Sequence, residues 1–306
     1  MYDVISFGAA TVDIFAKSDN LIVNKDLLSI PYSSKKEITQ GLICSGGGAT
    51  NTSVSFSRLG LKSACVSLIG NDPLTEYITS ELENDNVDVS LLSQNKNDTT
   101  DFSIILVAPD GGRSILTSRG DSKLEEDNIA WDKIQHSKWF YITSLEGNVD
   151  LLEKLIGFAK EFDIKIALNP GNRELKQPKQ LTPLLKHIDF LLLNQTESET
   201  LTGLDSTDPR FWEKLHHYGN KITAITNGRE GAHILTSDKD FYSPIINVKP
   251  VDETGAGDGF GSAFIAALIH NITPANALFW GIKNSASVVA FLGAKEGLLK
   301  FEEISK

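Results

Sequence analysis

Short apolar runs separated by helix-compatible polar stretches set the rhythm of this chain. Val4–Gly8, Ser63–Ile69, Trp139–Ile142, Ile164–Leu168, Phe190–Leu193 and Ile222–Thr226 are strand-length runs, mostly apolar or β-branched. Helical patterns fall between them: Thr50–Leu59 closed by Gly60, a helix opened by Asp72-Pro73 and running to about Asn84, Val149–Lys160, and Glu197–Thr202. Strands without polar alternation are buried on both faces. Their alternation with helices predicts an α/β protein whose parallel sheet is covered on both sides.

Two regions interrupt this rhythm. Leu21–Ile43 is rich in short polar and β-compatible pieces. In Asp101–Ser118, Phe102–Val107 and Arg113–Leu116 flank the turn signal Pro109-Asp110-Gly111-Gly112, which predicts a hairpin. The expectation is a small β lid built from segments of about 21–43 and 101–118 on one domain spanning 1–306; two plain surface hairpins are the other reading. No internal repeat or low-complexity linker divides the chain.

Composition narrows the function classes. With 306 residues, 41% hydrophobic and 23% charged, the chain suits a soluble globular protein. A net charge of −11 argues against a protein that grips nucleic acid phosphates or an anionic membrane surface. The longest apolar stretch, Phe260–Ile269, is too short to span a bilayer. Cys44 and Cys65 form no CxxC pair and read as small buried residues. Met1-Tyr2-Asp3 leads straight into a strand, so the expected compartment is the cytoplasm.

The sharpest chemical signal is Asp252-Glu253-Thr254-Gly255-Ala256-Gly257-Asp258, which runs into the helical stretch Gly259–His270. Gly255, Ala256 and Gly257 let the backbone turn tightly and present N–H groups at a helix N-terminus, an anion site suited to phosphate. Asp258 in the first turn is a poor partner for that anion. Accepting a proton from a hydroxyl about to attack the phosphate gives it a reason to be there. The bland alternative is a Gly-rich turn with an acidic helix start. A second signal, Ser45-Gly46-Gly47-Gly48-Ala49-Thr50-Asn51, opens another helix with residues small enough for close ligand approach. No Gly-x-x-x-x-Gly-Lys-Ser/Thr, Gly-x-Gly-x-x-Gly, HExxH or Gly-x-Ser-x-Gly motif occurs, which disfavours the P-loop, nicotinamide, zincin and α/β-hydrolase readings.

Together these residues resemble the PfkB (ribokinase-like) carbohydrate kinase family. Gly46–Gly60 looks like its N-terminal signature and Asp252–Phe264 like its C-terminal one. Leu168-Asn169-Pro170-Gly171, Asn194-Gln195-Thr196-Glu197 and Thr226-Asn227-Gly228-Arg229-Glu230-Gly231 stand between them in the family's order. The resemblance implies a Rossmann-like three-layer αβα core with a β lid, and phosphorylation of a sugar hydroxyl by ATP with Mg²⁺, Asp258 being the base. A nucleoside kinase, or a non-catalytic regulatory protein of the same fold, is the alternative. By the same resemblance Asp13 (at the end of the first strand), Thr11, Gly46, Gly47, Asn51 and Glu146 would bind substrate. Asn194, Thr226, Gly228, Gly231 and Asn284 would meet nucleotide, Asn284 standing two residues from the family's register. Glu197 would hold Mg²⁺ through water, although Asn194-x-x-Glu197 also reads as a capping box. Asp252 and Thr254 match a monovalent cation (K⁺) site found in some members. A homodimer through the lid is the implied assembly. Phe102 and Ile104 could wall a nucleobase, whereas Arg113, Arg119, Lys35 and Lys36 could meet a substrate phosphate.

Overall fold

The computed structural model describes residues 1–25, 27–110, 112–120 and 123–306; Gly111 of the expected turn lies outside the described residues. Its centre is an eight-stranded sheet. In chain order the strands are β1 (Tyr2–Phe7), β4 (Ser63–Val66), β7 (Ser137–Ile142), β8 (Lys165–Leu168), β9 (Phe190–Asn194), β10 (Ile222–Thr226), β11 (Ala232–Thr236) and β12 (Phe241–Ser243). Spatially the order is β12-β11-β10-β9-β8-β7-β1-β4. The six strands from β4 to β10 are parallel, as the apolar runs predict, whereas β11 and β12 add an antiparallel edge. The sheet is therefore mixed, a correction to the all-parallel expectation. Ala232 follows directly on the tight Gly228–Glu230 turn, so this chain returns by a hairpin, not by a crossover helix.

Side-chain alternation along each strand feeds two cores. Ile5, Phe7, Phe140, Ile142, Leu191 and Leu193 face one way, and the second core takes Val4, Trp139, Tyr141, Phe190 and Leu192. The first face is covered by α3 (Val149–Glu161), α4 (Pro178–Leu185) and α6 (Arg210–His217). The second is covered by α1 (Gly48–Arg58), α7 (Ala256–Ile269) and α8 (Pro274–Val289). Two further helices are α2 (Pro73–Asn84), whose N-cap Asp72 accepts from Leu74 N–H at 2.9 Å, and α5 (Gln195–Thr202). Small residues let α7 lie close: a Cβ on Gly261 would strike the Tyr141 hydroxyl.

A four-stranded lid sheet stands beside the core in the order β6-β5-β2-β3, formed by β2 (Thr11–Lys17), β3 (Gln40–Gly46), β5 (Phe102–Val107) and β6 (Arg113–Ser118). The hairpin arises as expected. The other lid segment differs from expectation: β2 lies upstream of Leu21, and within 21–43 the chain forms a small ribbon (Ile22–Asn24 with Leu27–Ser29) before entering β3. Asp13 consequently sits in the middle of a lid strand, not at the end of the first core strand. The first apolar run does end at Gly8, so Asp13 belongs to the next strand and not to the first.

Candidate active site

The carboxyl ends of β1, β7, β8, β9 and β10 share one edge of the core, and the N-termini of α1 and α7 open beside it. Crevices of open α/β sheets lie at such edges. Gly255 ends the incoming loop in the left-handed region at φ 78°, and an added Cβ there would overlap Ala294. Gly255 gives α7 no side-chain cap, and the N–H groups of Gly257 and Asp258 find no acceptor among the described residues. A Cβ on Gly257 would meet only open space. Unpaired helix donors facing free volume suit an anion.

Asp258 stands at the edge of that volume. Its Oδ2 accepts from Asn51 Nδ2 at 2.9 Å, joining the first turns of α1 and α7. Asn51 Oδ1 is buried with no partner among the described residues. Asp258 as a residue is half-buried. Burial by the surrounding protein pushes its pKa up to about 6, opposed by the Asn51 hydrogen bond and the Lys295 charge. A carboxylate tuned in this way can take a proton near neutral pH.

The lid brings a second carboxylate. Asp13 is buried, Thr11 Oγ1 lies 3.4 Å from its Oδ1, and Ser103 stands opposite it in register on the neighbouring strand. Burial raises its pKa, against the lowering influence of Ser103, Lys295 and Thr11. A Cβ on Gly46 would overlap the Asp13 carboxylate, and one on Gly47 (φ 89°) would overlap the Ala9 backbone. Thr11, Asp13, Gly46, Gly47 and Asn51 thus form one cluster. Next to it is a pocket lined by Gly8, Ala10, Asp98, Asp101, Leu145 and Glu146, among others, with no aromatic ring among its described lining residues. Glu146 takes an ion pair from Arg119 and stands 3.9 Å from Arg173. Glu174 shapes this loop from beneath, its buried carboxylate accepting from Leu145 N–H (2.7 Å) and Gly147 N–H (2.9 Å).

Asn194 and Glu197 form the capping box: Glu197 N–H donates to Asn194 Oδ1 and Asn194 N–H to Glu197 Oε2, both at 2.8 Å. The second Glu197 oxygen has no protein partner among the described residues. Burial raises the Glu197 pKa. Thr226 ends β10, and Gly228 (φ 47°) and Gly231 (φ 89°) turn the chain into β11. Asn284 is elsewhere. It is fully buried, its amide donating to Gly259 O (2.8 Å) and Ser55 Oγ (3.3 Å) and accepting from Leu299 N–H (2.9 Å). With both ends engaged, Asn284 ties α8 to α1 and α7 and has nothing left for a nucleotide.

The Asp252–Thr254 pair does not fit a free monovalent cation. Asp252 Oδ1 accepts from Thr254 N–H (3.1 Å) and Oγ1 (2.8 Å) and pairs with the Arg113 guanidinium at 3.2 Å; Oδ2 accepts from Gly293 N–H at 3.1 Å. Arg113 thus leaves the lid to neutralise Asp252, while Lys35 and Lys36 are exposed. Phe102 packs into a core cluster beside Val12 and Ala10. Sequence reasoning passed over Ser103, Glu174 and Lys295. Ser103 could have been found by strand alternation once β5 was placed next to β2.

Known proteins share this architecture. Residues 1–300 match the description pfkB family carbohydrate kinase. The chain is 28% identical to a ribokinase of Haemophilus influenzae over 287 residues, covering 90% of this chain and 92% of that one. The Arabidopsis thaliana ribokinase solved with ribose and ATP superposes with a TM-score of 0.81 at 19% identity, over 99% of this chain and 97% of that one. A ribokinase-type protein of E. coli solved with ATP and Mg²⁺ gives 0.83 at 22% identity, over 100% and 98%. At those identities the two structures establish the ribokinase-like fold.

Proposed function

The chain belongs to the pfkB family of carbohydrate kinases, and from that premise we propose that it transfers the γ-phosphoryl group of ATP to a hydroxyl of a small sugar, with Asp258 as general base. The observation that carries this is the Asn51–Asp258 hydrogen bond beside the unpaired N–H groups opening α7. Asp258 takes the proton of the attacking hydroxyl. The N–H groups of Gly257 and Asp258 hold the oxygens that gain charge during transfer. Asp13, Asn51 and the Gly46-Gly47 backbone orient the sugar, and Glu146 closes the far side of the pocket. Asn194, Thr226, Gly228 and Gly231 face the nucleotide end of the crevice.

Mg²⁺ bound with ATP would neutralise the phosphate oxygens, and the free Glu197 oxygen suits it, because this ion keeps most of its waters and needs few carboxylates. A small sugar is favoured over a nucleoside by the pocket wall, which is aliphatic, small and acidic and lacks a ring to stack on a base. The named ribokinase relatives support the same choice. We read the chain as one catalytic unit with its lid, placed in the cytosol on its two free cysteines; no helix among the described residues is long and apolar enough to cross a membrane. Exposed Ile43, Ile115 and Leu116 support pairing of two lids in a homodimer.

The test is ATP turnover against a panel of pentoses, hexoses and nucleosides, wild type beside Asp258→Asn. Sugar-dependent turnover abolished in the variant is expected. Wild-type turnover in Asp258→Asn would overturn the assignment.

A further inference from the structure

Lys295 is the charged group of this region to which the transfer chemistry gives no task. It lies 4% exposed in the loop after α8. Its ammonium donates to Ser45 Oγ at 2.6 Å and to the Ser45 carbonyl. From the other side, Ser45 N–H donates to the Glu81 carboxylate of α2 at 2.6 Å. Opposite charges therefore grip the residue immediately before Gly46. The Lys295 carbonyl accepts from Arg58 at 2.6 Å, anchoring the loop to the end of α1. No carboxylate among the described residues touches the ammonium; Glu81 and Asp13 act on it through space, against the burial that lowers its pKa.

An ammonium has the charge and roughly the size of a potassium ion, and here a carbonyl and a hydroxyl oxygen ligate it. Meanwhile the one carboxylate that resemblance assigns to a free cation is saturated by two backbone N–H groups, a hydroxyl and Arg113. We propose that Lys295 is a positioning residue serving this kinase as a tethered monovalent cation, fixing Ser45 and the Gly46-Gly47 sugar loop so that the reaction needs no free K⁺. This rests on the sugar-kinase reading above.

The experiment uses the full chain with ATP, Mg²⁺ and D-ribose or D-fructose, in potassium chloride and in tetramethylammonium chloride at equal ionic strength. Turnover should agree within about twofold and the melting temperature should not move, because an ion that binds the native state would raise it. Stimulation by K⁺ of about fivefold or more, or a clear rise in melting temperature, would overturn the proposal. Lys295→Met should raise the sugar KM about tenfold or more and leave the ATP KM within about twofold. An unchanged sugar KM, or equal losses for sugar and ATP, would overturn it. In Lys295→Ala, added ammonium ions should restore part of the sugar affinity where tetramethylammonium does not; no rescue counts against the proposal. If these variants do not fold, the wild-type salt comparison still decides. If no acceptor turns over, the kinase reading fails, while the melting comparison still reports on cation binding.

Discussion

The core sheet and the lid sheet draw on the same kinds of residue and meet water in opposite ways. Core strands such as Phe140–Ile142 are covered on both faces, and no substitution there can be absorbed by a loose neighbour. The lid buries Phe15, Ile105 and Val107 on one side, while every described position of β6 is exposed, Leu116 at 61%. The difference divides labour within the site. Asp258 and Asn51 ride on helices packed against the rigid core, whereas Asp13 and Ser103 ride on a sheet with a bare face, and Gly46 ends one of its strands. On the function proposed above, the proton transfer belongs to the first region and most of the sugar recognition to the second, with Asn51 reaching across from the core.

The largest test of that division is Asp258→Asn. An amide cannot accept the hydroxyl proton, so kcat should fall by about 10²–10⁴, or roughly 3–5 kcal/mol, with ATP affinity preserved in a binding titration. Next is Asp13→Asn on the lid, which weakens a charge-assisted hydrogen bond. The sugar KM should rise about 10–100-fold while kcat at saturation changes far less, as a KM-against-kcat analysis would show. If Asp13→Asn lowers kcat as much as Asp258→Asn does, the division fails.

pH sharpens the same contrast. The base must be ionised, and burial holds Asp258 at about 6, so kcat should fall as pH drops through 6 and lie flat above it. The stability sign is the reverse. A folded pKa above the unfolded one means that the native state binds the proton more tightly, so this stabilisation is complete below the unfolded pKa and lost as pH rises through about 6. Asp258→Asn, which never ionises, should therefore be more stable than wild type at pH 7–8 in denaturant titration, by about 1–2 kcal/mol. Smallest in effect on turnover is Leu116→Lys on the bare lid face. It should convert a dimer to a monomer in sedimentation with kcat changed by less than about twofold; a wild-type mass that is already monomeric would remove the lid interface.

Much of the core was legible because strands buried on both faces leave uninterrupted apolar runs, and Asp72-Pro73 and Asn194-x-x-Glu197 mark helix starts by their caps. The anion loop and Asp258 were legible because glycine spacing is local information. What sequence concealed was non-local. The lid strand Thr11–Lys17 finds its partners only in Gln40–Gly46 and Phe102–Val107, far along the chain, and nothing near Lys295 signals that its ammonium ends on Ser45, 250 positions away. Asn284 misled for the converse reason: an amide in a helix looks the same whether it meets a ligand or, as here, spans three elements. The antiparallel edge strands went unread because Ala232–Thr236 and Phe241–Ser243 are short and interrupted by polar residues.

The bond between Asn51 and Asp258 closes across 207 positions of chain. A ribosome making this protein from its N-terminus will have released the sugar loop, all four lid strands and all six parallel strands before α7 exists. Until α7 docks, Asn51 has no carboxylate to orient, and no phosphate cradle is present. Such distant closures are slow relative to local folding. Catalytic competence should thus appear in one late step, after most of the secondary structure has formed. During refolding, helical signal should recover well before the first phosphorylated sugar can be detected.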